Sequence, residues 1–202
     1  MLGCNGNAEL GIGCRSNGDI NVGCVNPQTD YGTPQQVVGI SGGATSLSTG
    51  NYHTCAIVDG GSYCWGQGNL WVSAVQMTGF DGNVMSVSAG ADFTCATTEA
   101  GSAYCWGQDT CGNLGLGYVP DVDGNGNITT PGQSGNVNNP QLVPGLSGAM
   151  TISVGLTDTA CAIDKAGNMS CWGDNSQGQF GNGAADLTVY ATPVASGLAV
   201  AN

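Results

Sequence analysis

Tyr63-Cys64-Trp65-Gly66-Gln67, Tyr104-Cys105-Trp106-Gly107-Gln108 and Ser170-Cys171-Trp172-Gly173-Asp174 are one phrase written three times in the chain. Each copy is preceded by a second cysteine in a similar setting: His53-Thr54-Cys55-Ala56, Phe93-Thr94-Cys95-Ala96 and Thr159-Ala160-Cys161-Ala162. Upstream again come Ser46-Leu47-Ser48-Thr49-Gly50, Ser86-Val87-Ser88-Ala89-Gly90 and Thr151-Ile152-Ser153-Val154-Gly155. Self-similarity at a period of tens of residues is the mark of a repeat architecture. Each unit reads as an alternating strand, a glycine turn, a second strand entering at the first cysteine, a tight turn, and a third strand ending in Cys-Trp-Gly. The turns Asp59-Gly60-Gly61-Ser62, Glu99-Ala100-Gly101-Ser102 and Lys165-Ala166-Gly167-Asn168 carry the glycine or asparagine that tight hairpins need for positive φ. Cysteines nine or ten residues apart across such a hairpin lie on adjacent strands. Disulfides Cys55–Cys64, Cys95–Cys105 and Cys161–Cys171 are therefore predicted, with Cα separations of about 4.4 to 6.8 Å.

Downstream of the tryptophan lies a glycine-rich turn, Gly112-Asn113-Leu114-Gly115-Leu116-Gly117 in one unit and Gly178-Gln179-Phe180-Gly181-Asn182-Gly183 in another. Strands expected to begin at Pro34, Pro140 and Pro193 follow, since a leading proline is tolerated on an outer strand. Four short strands in about 40 to 50 residues make the blade of a propeller. The expected fold is all-β and propeller-like, with about three and a half four-stranded blades, either open or completed by another chain. Residues 1–39 read as a partial blade, 40–79 as a blade, 80–146 as a blade with an insertion at 118–140, and 147–202 as a blade, within a single repeat domain. These phrases resemble the repeats of the regulator of chromosome condensation family, whose blades run from a serine-containing strand through a His-Thr-x-Ala-Leu-like strand and a Tyr/Trp-Gly turn to Gly-Gln-Leu-Gly and Pro-x-x-Val. The resemblance implies a β-propeller. The family closes seven blades and lacks the paired cysteines, so the departure points to an extracellular variant. Nucleotide exchange on a small GTPase, known for one member, has no matching site in this sequence.

Composition sets further bounds. Of 202 residues 36 are glycine and 8% are charged, while 41% are hydrophobic, which suits short strands and many turns. The formal charge is −12 and the only cations are Arg15 and Lys165, so no surface can neutralise a row of phosphates and nucleic acid is excluded as a direct partner. An anionic membrane is disfavoured for the same reason, and no apolar run of about 18 residues exists to cross a bilayer. Paired cysteines argue for an oxidising compartment, hence an extracellular or cell-surface location. Met1-Leu2 is followed at once by Gly3-Cys4-Asn5-Gly6, with neither a basic start nor an apolar stretch, so a mature or truncated chain is expected.

Several residues are candidates for sites. Asp121, Asp123, Asn125 and Asn127, with Gly126 at the bend, resemble the start of an EF-hand-type loop and are candidate Ca²⁺ ligands, although Gly132 stands where the bidentate glutamate belongs. The competing reading is an Asx-turn-rich surface loop. Asn127-Ile128-Thr129 and Asn168-Met169-Ser170 are glycosylation acceptor patterns. His53, the one histidine, aligns with Phe93 and Asp158 and reads as structural. Trp65, Trp106 and Trp172 occupy equivalent positions and read as blade packing, whereas Trp71 lies outside the pattern and is the candidate for an exposed ligand contact. Cys4, Cys14, Cys24 and Cys111 are left for further bridges of unassigned pairing. No pair of carboxylates and no nucleophile–base set stands out, so no enzyme is expected. The leading reading is an extracellular structural or assembly module that self-associates through incomplete blades, up to a filament. The alternative is an adhesin or another propeller that recognises a glycan or a protein.

Overall fold

A blade begins to form wherever a tight turn joins two strands, and the register across each turn explains the spacing of the cysteines. In the computed structural model, which describes residues 9–12, 33–66, 71–118, 135–185 and 189–199, β1 (Ala44–Thr49), β2 (His53–Val58), β3 (Gly61–Gly66) and β4 (Trp71–Gln76) form one antiparallel sheet in that order. β5 (Val84–Ala89), β6 (Phe93–Thr98), β7 (Ala103–Gln108) and β8 (Asn136–Leu142) form the second. β9 (Ala149–Val154), β10 (Thr159–Asp164), β11 (Asn168–Asp174) and β12 (Val189–Ala199) form the third. No helix occurs among the described residues, so no helix there is long and apolar enough to cross a membrane.

Val58 pairs with Gly61, so Asp59 and Gly60 alone make the β2–β3 turn, both with positive φ (48° and 77°), as a type I′ turn requires. The β6–β7 and β10–β11 turns each take one residue more and place Gly101 and Gly167 at φ of 86° and 84°. The added residue turns a cysteine spacing of nine into ten while keeping the cysteines directly opposed. All three predicted disulfides form, Cys55–Cys64, Cys95–Cys105 and Cys161–Cys171, each with a Cα separation of 4.1 Å. That is closer than the expected range, because directly opposed residues on neighbouring strands approach to about 4.5 Å where they exchange no backbone hydrogen bonds.

The fourth strand of each blade differs from expectation in an informative way. Opposite Trp65 lie three residues, 72–74, since Cys64 pairs with Val75 and Gly66 with Trp71. The same three-for-one irregularity recurs opposite Trp106 (138–140) and Trp172 (191–193). Pro140 and Pro193 are the last residues of these two bulges, inside β8 and β12 and not at their first residues, while Pro34 lies in irregular chain. A bulge leaves a residue outside the hydrogen-bond ladder, so the missing proline N–H costs nothing there. β8 starts at Asn136, within the stretch read as an insertion.

Hydrophobic residues collect between successive sheets. Cys55, Ile57 and Cys64 of the first blade pack with Val84, Val87, Ala96 and Trp106 of the second. Cys95 and Cys105 of the second pack with Ile152, Ala160, Ala162 and Trp172 of the third. Val37 and Ile40 lean on Ala56, Val58, Trp65 and Ala74 of the first blade. β2 and β6, flanked on both sides, are buried at every residue. Removing one bridge tests how far this packing depends on it: the double substitution Cys95→Ala with Cys105→Ala, which opens a loop of separation 10, should cost about 2–3 kcal/mol. Its denaturation midpoint should fall while its β-sheet circular dichroism is retained.

Candidate interaction surface

The joint between blades is built around the Trp-Gly pair. Gly66, Gly107 and Gly173 have φ of 102°, 112° and 94°, and a Cβ on any of them would run into the backbone carbonyl of Tyr52, Asp92 or Asp158. Only glycine allows the strand end to come this close. The indole before it is then roofed by the loop of the preceding blade. Trp172 Nε1 donates to the Asn113 carbonyl at 3.0 Å, and Trp65 Nε1 donates to the Glu9 carbonyl at 2.8 Å. The acceptor is in each case the residue before a buried leucine, Leu114 or Leu10, and the next glycine, Gly115 or Gly11, lies against the indole. Trp106 Nε1 has no partner among the described residues. The corresponding sequence, Gly68-Asn69-Leu70, lies outside them.

Nearer the hub, serines tie neighbouring inner strands together. Ser48 Oγ accepts the Ala89 N–H, and Ser88 Oγ accepts the Val154 N–H, both at 3.0 Å. Beside these serines sits one apolar residue per blade: Val87 is 7% exposed and Ile152 5% exposed, each covered by the blade before it. Leu47 holds the same register position in β1 and is 66% exposed. Val37 and Ile40 cover only the outer part of that face. The opposite face of the third blade is also open: Cys161 and Ile163 are half-buried, whereas their counterparts Cys55, Cys95 and Ile57 are buried, and Ser153 faces solvent. The molecule therefore presents, on its described residues, a leading face with an uncovered knob and a trailing face with an uncovered seat.

The remaining candidates fall as follows. His53 is buried and shares a 2.7 Å hydrogen bond with Thr94 Oγ1 across the first joint. Burial holds its pKa below 6.5 against the opposing pull of Asp92. The unfolded chain thus takes up this proton first, and acidification through 6.5 withdraws stability at this position. Trp65, Trp106 and Trp172 are at most 2% exposed and serve packing. Trp71 opens β4 opposite Gly66, and its side chain is outside the described set. Asn168 is exposed at the start of β11, with its Nδ2 donating to Asp164 Oδ2 at 2.9 Å. Cys111 is a free thiol among the described residues. Cys4, Cys14 and Cys24, and all of Asp121, Asp123, Asn125 and Asn127, lie outside those residues. Among the described residues no group of three His, Cys, Asp or Glu is placed to hold a metal ion.

Two features escaped the sequence reading. The serine rungs were legible as the recurring serine two residues before the strand-ending glycine, but nothing in that pattern shows which backbone N–H a hydroxyl meets. Asp109 is 1% exposed, and neither carboxylate oxygen has a hydrogen-bond partner. Its signal was an alignment of loops, since it stands where the third blade has Asn175.

A direct test of the indole seat uses two glycines with similar backbone. Gly115→Ala would place a Cβ 2.8 Å from Trp172 Nε1, whereas Gly145→Ala would meet nothing within 4 Å, at φ of 70° and 82°. The Gly145 change should cost about 1–2 kcal/mol for its left-handed backbone, and the Gly115 change about 1–3 kcal/mol more. Urea titration monitored by circular dichroism reads the difference.

Comparison with known proteins agrees with this construction. The profile described as "Regulator of chromosome condensation (RCC1) repeat" matches residues 84–113 and 151–179, each spanning the first three strands of a blade and the start of its indole-seating loop. No curated protein matches the sequence. Among solved structures, Prp20p of Saccharomyces cerevisiae, described with its binding properties to Gsp1p and histones, is similar with a TM-score of 0.62 at 15% identity, covering 77% of this chain and 38% of that one. Human WBSCR16 is similar at 0.61 and 17% identity, covering 95% and 48%. Yeast RCC1 (Prp20) bound to Kap60 is similar at 0.61 and 14% identity, covering 94% and 43%. The chain spans less than half the length of each of these. It carries RCC1-type repeats, folded as consecutive four-stranded blades of an incomplete β-propeller.

Proposed function

We propose that this chain is a non-enzymatic, extracellular interaction module that associates with a second copy of itself, the trailing face of the third blade in one copy covering the bare β1 face of another. The observation that carries the proposal is the contrast within one register position: Leu47 at 66% exposure against Val87 at 7% and Ile152 at 5%. Covering a leucine side chain is worth about 1.5–3 kcal/mol, and inside the molecule the surface that covers its counterparts is the trailing face of a neighbouring blade. The half-buried Cys161 and Ile163 offer such a surface on the third blade. A leading face that meets a trailing face is a heterologous contact, which repeats into a ring if the rotation closes and into a filament if it does not. Three disulfides suit an oxidising, extracellular setting. A Ca²⁺ ion on Asp121, Asp123, Asn125 and Asn127 would order the insertion without adding catalysis.

A second reading, capture of a different protein, is favoured by an apolar groove of about 370 Å³ beside edge strand β8, lined by Leu116, Tyr118, Val137, Gln141, Leu142 and Pro144. Protein partners are also what the descriptions of the yeast relatives name: Gsp1p and histones for one, Kap60 for the other.

Light scattering across a concentration series separates the two. The native protein should show a mass that rises with concentration. Leu47→Asp should hold it at one chain, while Met85→Asp, at a residue also 60% exposed but outside that register, should leave association intact. A native protein that stays monomeric, or two variants that behave alike, would remove the self-association proposal and leave the second reading.

A further inference from the structure

The loops that follow Trp106 and Trp172 can be superposed residue for residue. Trp106-Gly107-Gln108-Asp109 through Tyr118 aligns without a gap on Trp172-Gly173-Asp174-Asn175 through Ala184. The backbone repeats as well: Gly112, Gly115 and Gly117 have φ of 65°, 70° and 88°, and Gly178, Gly181 and Gly183 have 76°, 65° and 84°. The Gly115 N–H donates to the Gly112 carbonyl at 2.9 Å, and the Gly181 N–H donates to the Gly178 carbonyl at 3.1 Å. One chemical difference stands at the centre. In the third blade Asn175 is fully buried, its Oδ1 accepts the Phe180 N–H at 3.0 Å, and its Nδ2 donates to the Ala184 carbonyl at 3.2 Å. This amide closes the loop at both ends. In the second blade the same place is held by Asp109, which is equally buried, with both oxygens outside hydrogen-bonding geometry.

A carboxylate has no proton to donate, so ionised Asp109 cannot reproduce the bond that Asn175 makes to the far end of its loop. A neutral carboxylic acid can. Its hydroxyl would donate to the Tyr118 carbonyl, the counterpart of the Ala184 carbonyl, and its carbonyl oxygen would accept the Leu114 N–H, the counterpart of the Phe180 N–H. We propose that Asp109 is a pH-operated latch: protonated, it closes the 109–118 loop as Asn175 closes its own, and ionised, it loses the bond to the far end of the loop and loosens the joint between the second and third blades.

The joint feels the loop directly. Its Asn113 carbonyl receives the Trp172 indole N–H, and its Gly117 N–H donates to the Ala191 carbonyl in the β12 bulge at 2.8 Å.

The surroundings favour a proton on Asp109. Burial pushes its pKa up to about 6, and negative Asp158, before β10, pushes the same way, against the backbone N–H groups of Leu114, Gly112 and Asn113, which it faces. From the third blade Asp174 adds negative charge to this region, where it raises both the Cys111 thiol and Asp158. Asp92, between β5 and β6, also raises Asp158, which burial already lifts. Cys111 and Tyr118, in the loop itself, are raised first by burial and stay neutral near pH 7. Lys165, the cation among the described residues, sits at the other end of β10. The folded chain keeps the Asp109 proton up to about 6, whereas an unfolded aspartate releases it near 3.8, so the contribution is complete below 3.8 and is lost as pH rises through about 6. His53 works in the opposite sense, so the comparison must be made between variants.

The experiment measures unfolding by urea from pH 4 to 8 for the native protein, Asp109→Asn and the reciprocal Asn175→Asp, with the protection factor of the Gly117 amide, which bonds the Ala191 carbonyl across the joint, followed by hydrogen exchange. Relative to Asp109→Asn, the native protein should lose up to about tenfold in its folded-to-unfolded ratio per pH unit between the two titration points. Gly117 protection should fall with rising pH in the native protein and stay level in Asp109→Asn. Asn175→Asp should acquire a pH-dependent loss of stability of the same sign. Parallel pH profiles for the native protein and Asp109→Asn, or level Gly117 protection in the native protein, would overturn the latch. If Asn175→Asp fails to fold, the first pair and the Gly117 amide decide alone.

Discussion

A four-stranded blade has two apolar faces and cannot bury either by itself, and every other feature of this chain follows from how neighbouring blades solve that problem for each other. The solution centres on an indole at the end of each third strand. Glycine after it lets the strand end meet the carbonyl of Tyr52, Asp92 or Asp158, and three residues bulge opposite it to make room. For Trp65 and Trp172 a loop from the previous segment closes over the ring and accepts its N–H. The disulfide of the preceding blade forms the floor of the same core. Burial and hydrogen bonding thus converge on one residue, so each blade is completed only by its neighbour.

That dependence makes the uncovered faces the informative part of the surface. Val87 and Ile152 are capped because a blade precedes them, and Leu47 occupies their position in water. The same logic gives the joints their sensitivity. In the third-blade loop one buried amide bonds both ends, and an ionised carboxylate in its place lacks the donor. Asn175 is satisfied at both ends, while Asp109 holds the same place in its own loop without either bond. Burial shifts the two groups in opposite directions, lowering the His53 pKa in the joint before the second blade and raising that of Asp109 in the joint after it.

Much of this was legible because repeats expose their own grammar. Turn residues at Asp59-Gly60 and Gly101 set the hairpin registers, and the registers set the cysteine partners, so three disulfides could be read from spacing alone. The prolines misled for a physical reason. Proline excludes itself from a ladder, which holds equally at a strand's first residue and in a bulge within it, and only the pairing of Cys105 with Gln141 and Gly107 with Val137 shows that the bulge applies at Pro140. Asp109 was passed over because its neighbours in sequence say nothing about its burial.

The one-dimensional pattern by itself determined the first three strands of each blade, the turns between the second and third, and the partners of six cysteines, since these depend on contacts within about ten residues and on the local preferences of glycine, asparagine and aspartate. Only the tertiary structure decided which of three equivalent apolar residues is left in water and which of two equivalent loop residues is left without a partner. Exposure and hydrogen-bond satisfaction are properties of the neighbour as much as of the residue. Leu47 and Val87, or Asp109 and Asn175, occupy the same place in their own repeats and differ in what the adjoining segment brings to them.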